Sequence, residues 1–590
     1  MAINRRNQGL ARKLTQRLTG RALQVLLAAS LLTPFAASAQ TAEQAPAPSE
    51  SAMVNLVRAL VLQGALKPEV GDDLIRQAEA EAAQARAASQ LAATRELPPA
   101  ANGAIRVPYI PESVRQQIKD ELRSEVMQVA RQDKWAAPDE AAPDWTRRIA
   151  IHGDIRVRSQ SELYSRTNAD DIIDFATINA LSPYGIDDPR LLLPILNSRN
   201  DQWNRMRLRA RLGIDATISK GVTAGITIAT GDNEGPISTN ATLGGGFFKR
   251  DLWLDKAWLK FEPTGWASAT FGRFGNPFNS SDLLYDADLN LDGVAVELNT
   301  GRMLGENFRL TARGGAFPFD FGSPNAPAFA FNKPKASQKY LFSGELEGSG
   351  KFGDVGFKLS AGYHRFDNFQ GDLSAPCQIE TDSFCSTDHL QPLYLTKGNT
   401  LSPLRQIVTI DPNSDLPQIL GYTFKYQILD INAALTVPLG EHSIVRASGS
   451  FVKNLGFSKG DICRNGLAGR PYNNSGAGGG TYCAAVNPAQ FAGGDTGYRG
   501  EVMFGQADPR KQGEWNVLAG YRYLESDAVL DALTDSDFHL GGTNSKGYFV
   551  GGTFALRDGL LIGGRWMSAN EISGPPLAID VLQIDLQAKF

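Results

Sequence analysis

Four arginines occupy every second position between Arg205 and Arg211, with apolar residues between them. In an extended strand this spacing places all four guanidinium groups on one face. Burying them unpaired in a dry core would cost on the order of several kcal/mol each. We therefore expect this face to be wet and to attract anions. An Arg/Glu network that braces the structure is the alternative, and both can hold at once. The full basic set comprises Arg156, Arg158, Arg205, Arg207, Arg209, Arg211, Lys256 and Lys260.

A cluster of acids follows in residues 275–293, which are too polar to lie in lipid. If this segment folds back over the face that carries the basic set, its carboxylates face those cations. The gap between the two sets of charges is then a narrow, polarised constriction. Such a constriction favours small polar or charged molecules over apolar ones. The alternatives are a surface loop that binds nothing and a loop that holds a cation. The spacing does not match an EF-hand, so no metal site is predicted. The acids are Asp282, Asp286, Asp288 and Asp292.

The histidines give no sign of catalysis. There are five in the chain, and none stands in a recognisable nucleophile or metal motif such as G-x-S-x-G or H-E-x-x-H. The formal net charge is −4. The sequence therefore predicts no enzyme activity, no cofactor and no nucleic-acid partner.

Residues 1–39 have the pattern of a secretory signal peptide. Six basic residues and no acid precede an apolar stretch, and Ala37-Ser38-Ala39 forms an A-x-A cleavage site. A buried core helix is the alternative. No run of about 20 apolar residues exists elsewhere, which excludes a membrane-spanning helix.

Export places the cysteines in an oxidising compartment, where disulfides persist. The spacing favours two pairs, Cys377 with Cys385 and Cys463 with Cys483. Other pairings remain open, and a metal site near His389 is a weaker alternative.

Residues 40–145 are predicted to form a helical region after a short disordered start. Ala, Glu, Gln and Arg dominate residues 69–97, and apolar residues recur every three or four positions from Val114 to Val129. The heptads end after about two or three repeats, which allows only a short coiled coil. A solvated periplasmic stalk and self-association into an oligomer are both open.

From Arg147 the apolar period changes from 3.6 to 2. About sixteen alternating segments follow, most of them long enough to cross a bilayer at a tilt of about 45°. Short turns such as "SKG" (219–221) and "RDG" (557–559) alternate with long, polar loops. A transmembrane barrel sorts its connections in this way, and closure satisfies every backbone N–H and C=O. We predict a barrel of about sixteen antiparallel strands over residues 146–590, with both ends of this region on the periplasmic side.

The last residues, "VLQIDLQAKF", fit the closing strand of such a barrel, paired with "RRIAIHGDIRVR". Leu582, Ile584 and Leu586 would face lipid. Phe590 would place an aromatic ring at the periplasmic interface and resembles the signal that barrel-assembly machinery reads.

Several stretches resemble the bacterial "putative porin" family of outer-membrane proteins. They are the junction "VPYIPESVRQQIKDELRSEVMQVARQDKW", the strands "RLRARLGIDATISKGVTAGITIATGD" and "LDKAWLKFEP", and the motif "ATFGRFGNPF". The resemblance covers roughly residues 50–590 and implies diffusion across the outer membrane. General trimeric porins share the sixteen-strand plan and an inward loop after the fifth strand.

The sequence thus predicts a passive pore for small hydrophilic solutes, with anion preference from the arginine-rich wall. Expected partners are the outer-membrane bilayer, small polar or anionic solutes, the barrel-assembly machinery and a second copy of the chain. The alternative function is a structural barrel whose N-terminal helices, residues 51–131, tether the cell wall or a periplasmic partner.

Overall fold

The computed structural model describes Arg76 and residues 146–186, 191–231, 235–301, 303–305, 307–321, 338–378, 384–409, 417–440, 442–463, 472 and 491–590. The predicted signal peptide (1–39) and the predicted helical region (40–145) lie outside the described residues, apart from Arg76, which is helical. The tethering hypothesis rests on that same region.

Sixteen strands of the described residues form one closed antiparallel barrel, as the sequence predicts. Each strand pairs with its neighbours in chain order, and the first pairs with the last. The strands are β1 (Ile149–Tyr164), β2 (Gln202–Ser219), β3 (Val222–Thr230), β4 (Leu252–Thr264), β5 (Ala267–Gly275), β6 (Asn290–Asn299), β7 (Phe308–Phe321), β8 (Gln338–Phe352), β9 (Val355–Asp367), β10 (Tyr426–Leu439), β11 (Ser443–Asn454), β12 (Thr496–Gly505), β13 (Trp515–Leu524), β14 (Ser545–Arg557), β15 (Leu560–Glu571) and β16 (Ile579–Lys589).

The alternation in the sequence decides which side chains face outward. On β16, Leu582, Ile584 and Leu586 are exposed on the outer surface, whereas Gln583 is buried on the inner side. On β2, Leu212 and Ile214 face outward and Arg209 faces inward. An apolar outer surface and a polar interior follow directly from the two-residue period.

The connections differ between the two ends of the barrel. One end, here called the turn end, has short links such as residues 220–221 and 353–354. The other, here called the loop end, has long links, including residues 368–425 between β9 and β10. The short strand Ala241–Thr242 pairs with β2, and Leu401–Pro403 pairs with Leu420–Tyr422.

Helical structure is confined to connections and short segments in the described residues. α1 (Phe175–Ala180) begins after Asp174, whose carboxylate accepts the Thr177 N–H at 3.0 Å. Single 3₁₀ turns span Thr146–Arg148, Asp388–Leu390, Lys459–Cys463 and Phe538–Leu540. None of the helices in the described part of the chain is long and apolar enough to cross a membrane.

Several loop-end connections fold into the barrel and form an apolar core inside it. The segment between β5 and β6, residues 276–289, is here called the inner loop. The segment between β13 and β14, residues 525–544, is here called the second inner loop. Their buried side chains pack together with residues of the β9–β10 connection, and they include Leu283, Leu284, Tyr285, Leu289, Val529, Leu530 and Leu533. The lumen is therefore partly filled rather than a wide open channel.

A disulfide joins Cys377 and Cys385 in the β9–β10 connection, with Cα atoms 5.8 Å apart. This is the first of the two pairs that the spacing favours. Cys463 is also disulfide-bonded, and Cys483 lies outside the described residues.

The barrel closes where β1 meets β16. Asp154 to Tyr164 pair with Lys589 to Ile579. Gly153 and Phe590 exchange two backbone hydrogen bonds of 3.0 and 3.1 Å. A Cβ atom on Gly153 would lie 2.7 Å from the Phe590 ring, so the ring packs directly over this glycine. Glycine is required there because a Cβ atom would also clash with the Arg211 carbonyl oxygen on β2, which belongs to the backbone and cannot rotate away.

We expect Phe590→Ala to lower the amount of inserted barrel several-fold and to leave the conductance of each inserted channel unchanged. The substitution removes apolar packing from the strand that closes the barrel. The measurement is the folded fraction in outer-membrane preparations, together with single-channel recording. Phe352→Ala is the matched control, because Phe352 is another exposed aromatic at the turn end. Wild-type insertion of Phe590→Ala would contradict the assignment.

Candidate functional site in the barrel lumen

The inner loop crosses the lumen and is held at three places on the wall. Near its start, the Asn279 N–H donates to Glu345 Oε2 on β8 at 2.8 Å, and Asn279 Nδ2 donates to Ser360 Oγ on β9 at 3.0 Å. In the middle, Asp282 pairs with Arg499 Nε on β12 at 3.0 Å. Near its end, Asp288 reaches the arginines of β2. The loop after the fifth strand therefore divides the interior.

The arginine row on β2 meets carboxylates at three of its four positions. Arg205 Nη2 lies 2.8 Å from Glu162 Oε1. Arg209 and Arg211 share Asp154, at 2.9 and 2.6 Å, and both approach Asp288 Oδ1, at 3.5 and 3.3 Å. These pairs join β1, β2 and the inner loop. Bracing of the wall thus accounts for much of the row.

The remaining arginines of the basic set differ in how well they are compensated. Arg158 binds Asp585 on β16 at 2.8 Å and Asp537 on the second inner loop at 2.9 Å. Arg156 Nη2 donates to Asn240 Oδ1 at 2.7 Å, and its nearest carboxylate, Asp585, lies at 4.0 Å. Arg207 contacts only Gln160 Oε1, at 3.4 Å, and no carboxylate of the described residues lies within 4.0 Å.

The two lysines of the basic set lie on β4, away from the arginine row. Lys260 pairs with Glu262 at 2.8 Å. Lys256 has no carboxylate within 4.0 Å among the described residues. Both line one cavity of ≈400 Å³, which also includes Glu297 and Arg313.

The four loop acids do not converge on one point. Asp282 and Asp288 face arginines, as expected if residues 275–293 fold into the lumen. Asp286 accepts the N–H groups of Ser536 and Asp288, both at 2.8 Å. Asp292 lies on β6 and pairs with Arg273 at 3.1 Å. No group of three or more His, Cys, Asp or Glu side chains that could hold a metal ion occurs in the part of the chain that is described.

The second inner loop was not predicted from the sequence. Its Asp535 lies 3.2 Å from Arg522, and its Asp537 contacts Arg158. It also docks on the inner loop, because the Asp286 N–H donates to Leu533 O at 2.8 Å and the Asp535 N–H donates to Asp282 O at 3.2 Å. The signal was present in the sequence as acids at positions 527, 531, 535 and 537 interleaved with Val, Leu and Ala.

Burial shifts the protonation of several loop carboxylates. Burial, with nearby Asp535, raises the pKa of Asp286 to about 8. Burial likewise raises the pKa of Asp527 and of Asp531 to about 6. Asp537 differs, because burial alone would raise its pKa, but Arg158 and Arg565 hold it well below the usual value. The inner loops therefore dock with some carboxylates neutral and others ionised.

Two cavities occupy the loop-end half of the lumen. The larger, here called the vestibule, measures ≈1440 Å³ and is lined mainly by loop residues. The smaller, here called the inner cavity, measures ≈270 Å³ and is lined by Arg205 and Arg207 among others. The two share Gly235, Tyr394, Thr396 and Leu540, which places them next to each other.

A further space, here called the turn-end cavity, lies toward the turn end. It measures ≈800 Å³, and its charged lining is basic: Arg309, Lys351, Lys358 and Arg446. No carboxylate of the described residues lines it. With the ≈400 Å³ cavity beside β4, the lumen holds polar cavities on both sides of the inner loop.

A closed barrel with an apolar outer surface and a charged lumen that holds cavities is the architecture of an outer-membrane channel. The chain belongs to the "Putative porin" family, whose sequence model matches residues 50–590.

Three solved structures are similar to this chain at low sequence identity. OprB of Pseudomonas putida, in its high-pH structure, is 12% identical with a TM-score of 0.40, over 75% of this chain and 95% of that chain. The channel DcaP of Acinetobacter baumannii is 9% identical with a TM-score of 0.34, over 75% and 97%. Salmonella typhi OmpF, in complex with daunomycin, is 7% identical with a TM-score of 0.35, over 75% and 97%. No protein of curated function matches the chain.

Proposed function

We propose that this porin allows passive diffusion of small hydrophilic solutes, prefers anions and catalyses no reaction. Polar cavities on both sides of the inner loop support a route for solutes. The apolar packing between the two inner loops narrows the lumen, so the solutes are small.

The cations that line the turn-end cavity carry the anion preference. Arg309, Lys351 and Arg446 have no carboxylate within 4.0 Å among the described residues, and the fourth cation, Lys358, lies 3.3 Å from Glu347. Two inward acids that lack a Lys or Arg partner are instead removed from the solute. Asp430 is bonded to Asn432 and Asp255 to Asn290, and both are buried. A mobile ion therefore meets uncompensated positive charge, which favours anions.

We also propose that the turn end faces the periplasm. The even strand count places both ends of the barrel region at the turn end, and short turns are typical of the periplasmic side. The apolar outer surface then lies against outer-membrane lipid.

The test is the reversal potential of the purified barrel in a planar bilayer under a KCl gradient. We expect the sign to favour chloride. The double variant Arg309→Gln/Arg446→Gln should lower the chloride-to-potassium permeability ratio at least about twofold, since basic side chains set anion selectivity. Arg557→Gln is the matched control, because Arg557 is exposed at the turn end. A reversal potential that favours potassium would refute the anion preference, and the absence of stepwise conductance would refute the pore.

A further inference from the structure

The inner cavity has an uneven balance of charge. Glu162 lines it and pairs with Arg205 at 2.8 Å, so these two side chains compensate each other. Arg207 lines it without a carboxylate partner among the described residues. One positive charge is therefore left over at the cavity wall. Arg156 lies behind this wall, bonded to Asn240, which also lines the cavity.

The same arginines carry unused hydrogen-bond donors. The Nε atoms of Arg156, Arg205 and Arg207 are buried and have no hydrogen-bond partner among the described residues. Buried donors are rarely left unsatisfied, because each one loses its hydrogen bonds to water without replacement. Arg209 and Arg211, two and four positions further along β2, have Nε atoms that donate to Asp154. Within the β2 row, the open Nε donors therefore lie at the two positions beside the inner cavity, whereas elsewhere the buried Nε of Arg522 on β13 is open as well.

The other polar groups at this cavity suit hydroxyl groups rather than further charge. Ser238, Asn240 and Ser536 present hydroxyl and amide groups that can both donate and accept, and the Thr396 hydroxyl, which donates to Asp531 O at 2.8 Å, can still accept. Glu162, which is almost wholly buried, would repel a second carboxylate. At ≈270 Å³ the space is below the about 300–1,000 Å³ of ordinary ligand pockets, so only a small molecule fits.

We propose that the inner cavity is a binding site for a small hydroxylated monocarboxylate, whose carboxylate is held by Arg207 with Arg205. Arginine matches a carboxylate through its planar, forked donors. The hydroxyl groups of the solute contact the serine, threonine and asparagine side chains. The inference rests on the proposed function, because the solute reaches this cavity from the vestibule as cargo of the channel.

The test is a ligand-observed NMR titration of the folded full-length protein in detergent micelles. The probes are gluconate, sorbitol and glucarate. Sorbitol has the same six-carbon chain with a hydroxymethyl group in place of the carboxylate, and glucarate has a second carboxylate. We expect gluconate to bind. Sorbitol should bind at least about tenfold more weakly, because it cannot form the charge-assisted hydrogen bond. Glucarate should also bind more weakly than gluconate.

Arg207→Gln should weaken gluconate binding about tenfold, and Arg207→Lys should weaken it less, because lysine keeps the charge but loses the fork. Arg446→Gln, which removes a lumen charge from the turn-end cavity, should leave gluconate affinity unchanged while altering ion selectivity. Migration of unheated samples on gels shows that each variant is folded. If Arg207→Gln does not fold, the comparison of Arg207→Lys with Arg446→Gln still decides.

Three results would each overturn the site. The first is wild-type gluconate affinity in Arg207→Gln, and the second is equal binding of sorbitol and gluconate. The third is an equal loss of gluconate affinity in Arg207→Gln and Arg446→Gln. Bilayer recordings of the same preparations separate the two proposals. Conductance without gluconate binding refutes the site alone. Gluconate binding without conductance refutes the channel and leaves the site standing.

Discussion

Replacing residues 280–287 of the inner loop with Gly-Gly is expected to raise single-channel conductance at least about twofold, because conduction follows the open cross-section of a water-filled pore. The exchange removes Leu283, Leu284 and Tyr285, which lie in the lumen core, and it removes the Asp282 link to Arg499. The hydrogen bonds between the wall strands are unaffected, so the barrel itself should persist.

The matched control replaces residues 243–250 with the same linker. This segment also has eight residues, lies in a loop-end connection and is almost entirely exposed. Its removal should leave conductance unchanged. Unaltered conductance in a folded 280–287 variant would show that solutes do not pass beside the inner loop.

Docking of the inner loop is expected to weaken about fivefold between pH 7 and pH 8, and to change by no more than about twofold above that range through this group. The cause is Asp286, whose pKa rises from 3.8 to about 8 through burial and the nearby Asp535. A released loop ionises at the lower value, so it binds fewer protons than the docked loop across this range. Stability of the docked loop therefore falls as pH rises.

Three other buried loop groups, Asp527, Asp531 and Lys397, act mainly outside this range. Asp527 and Asp531 have pKa values raised to about 6. Their effect on the pH dependence of docking is therefore confined to pH values below about 7. Burial lowers the pKa of Lys397 to about 8 from 10.5. Lys397 therefore affects stability mainly above pH 8, where stability rises with pH because the buried site favours the neutral form of the lysine.

The measurement is the hydrogen-exchange protection factor of the Asp286 amide, corrected for the intrinsic pH dependence of exchange. This N–H donates to Leu533 O across the contact between the two inner loops. Asp286→Asn cannot ionise and should flatten the profile between pH 7 and 8. Asp508→Asn, at an exposed turn-end carboxylate, should keep it. A flat wild-type profile would contradict the proposed linkage.

Periodicity predicted the wall of this protein well. The two-residue alternation identified the sixteen strands and the barrel closure, and the contrast between short turns and long loops appears in the structure. These features depend on local spacing and on the requirement that backbone groups pair in lipid. Both features can be predicted from residues that lie close together in the sequence.

The partners inside the lumen could not be predicted in the same way. Alternation places Arg209 on the inner face, but it does not reveal that Asp154 and Asp288 meet it there. Those contacts depend on strand register and on how a loop folds inward. Likewise, the acids of the second inner loop resemble those of any polar connection until the apolar residues between them are seen to pack against Leu283 and Leu284. The uncompensated Arg207 could be distinguished from its paired neighbours only in three dimensions.

The two carboxylates that bind Arg158 have a consequence for the order of folding. They lie 427 and 379 residues away in sequence, on β16 and on the second inner loop. Contacts of such separation carry a large loop-closure entropy until the intervening chain is in place. The Arg158 site is therefore complete only after the last strand has joined the first. We therefore expect the interior contacts to order after the barrel wall has closed. Order in the second inner loop would then indicate completed assembly.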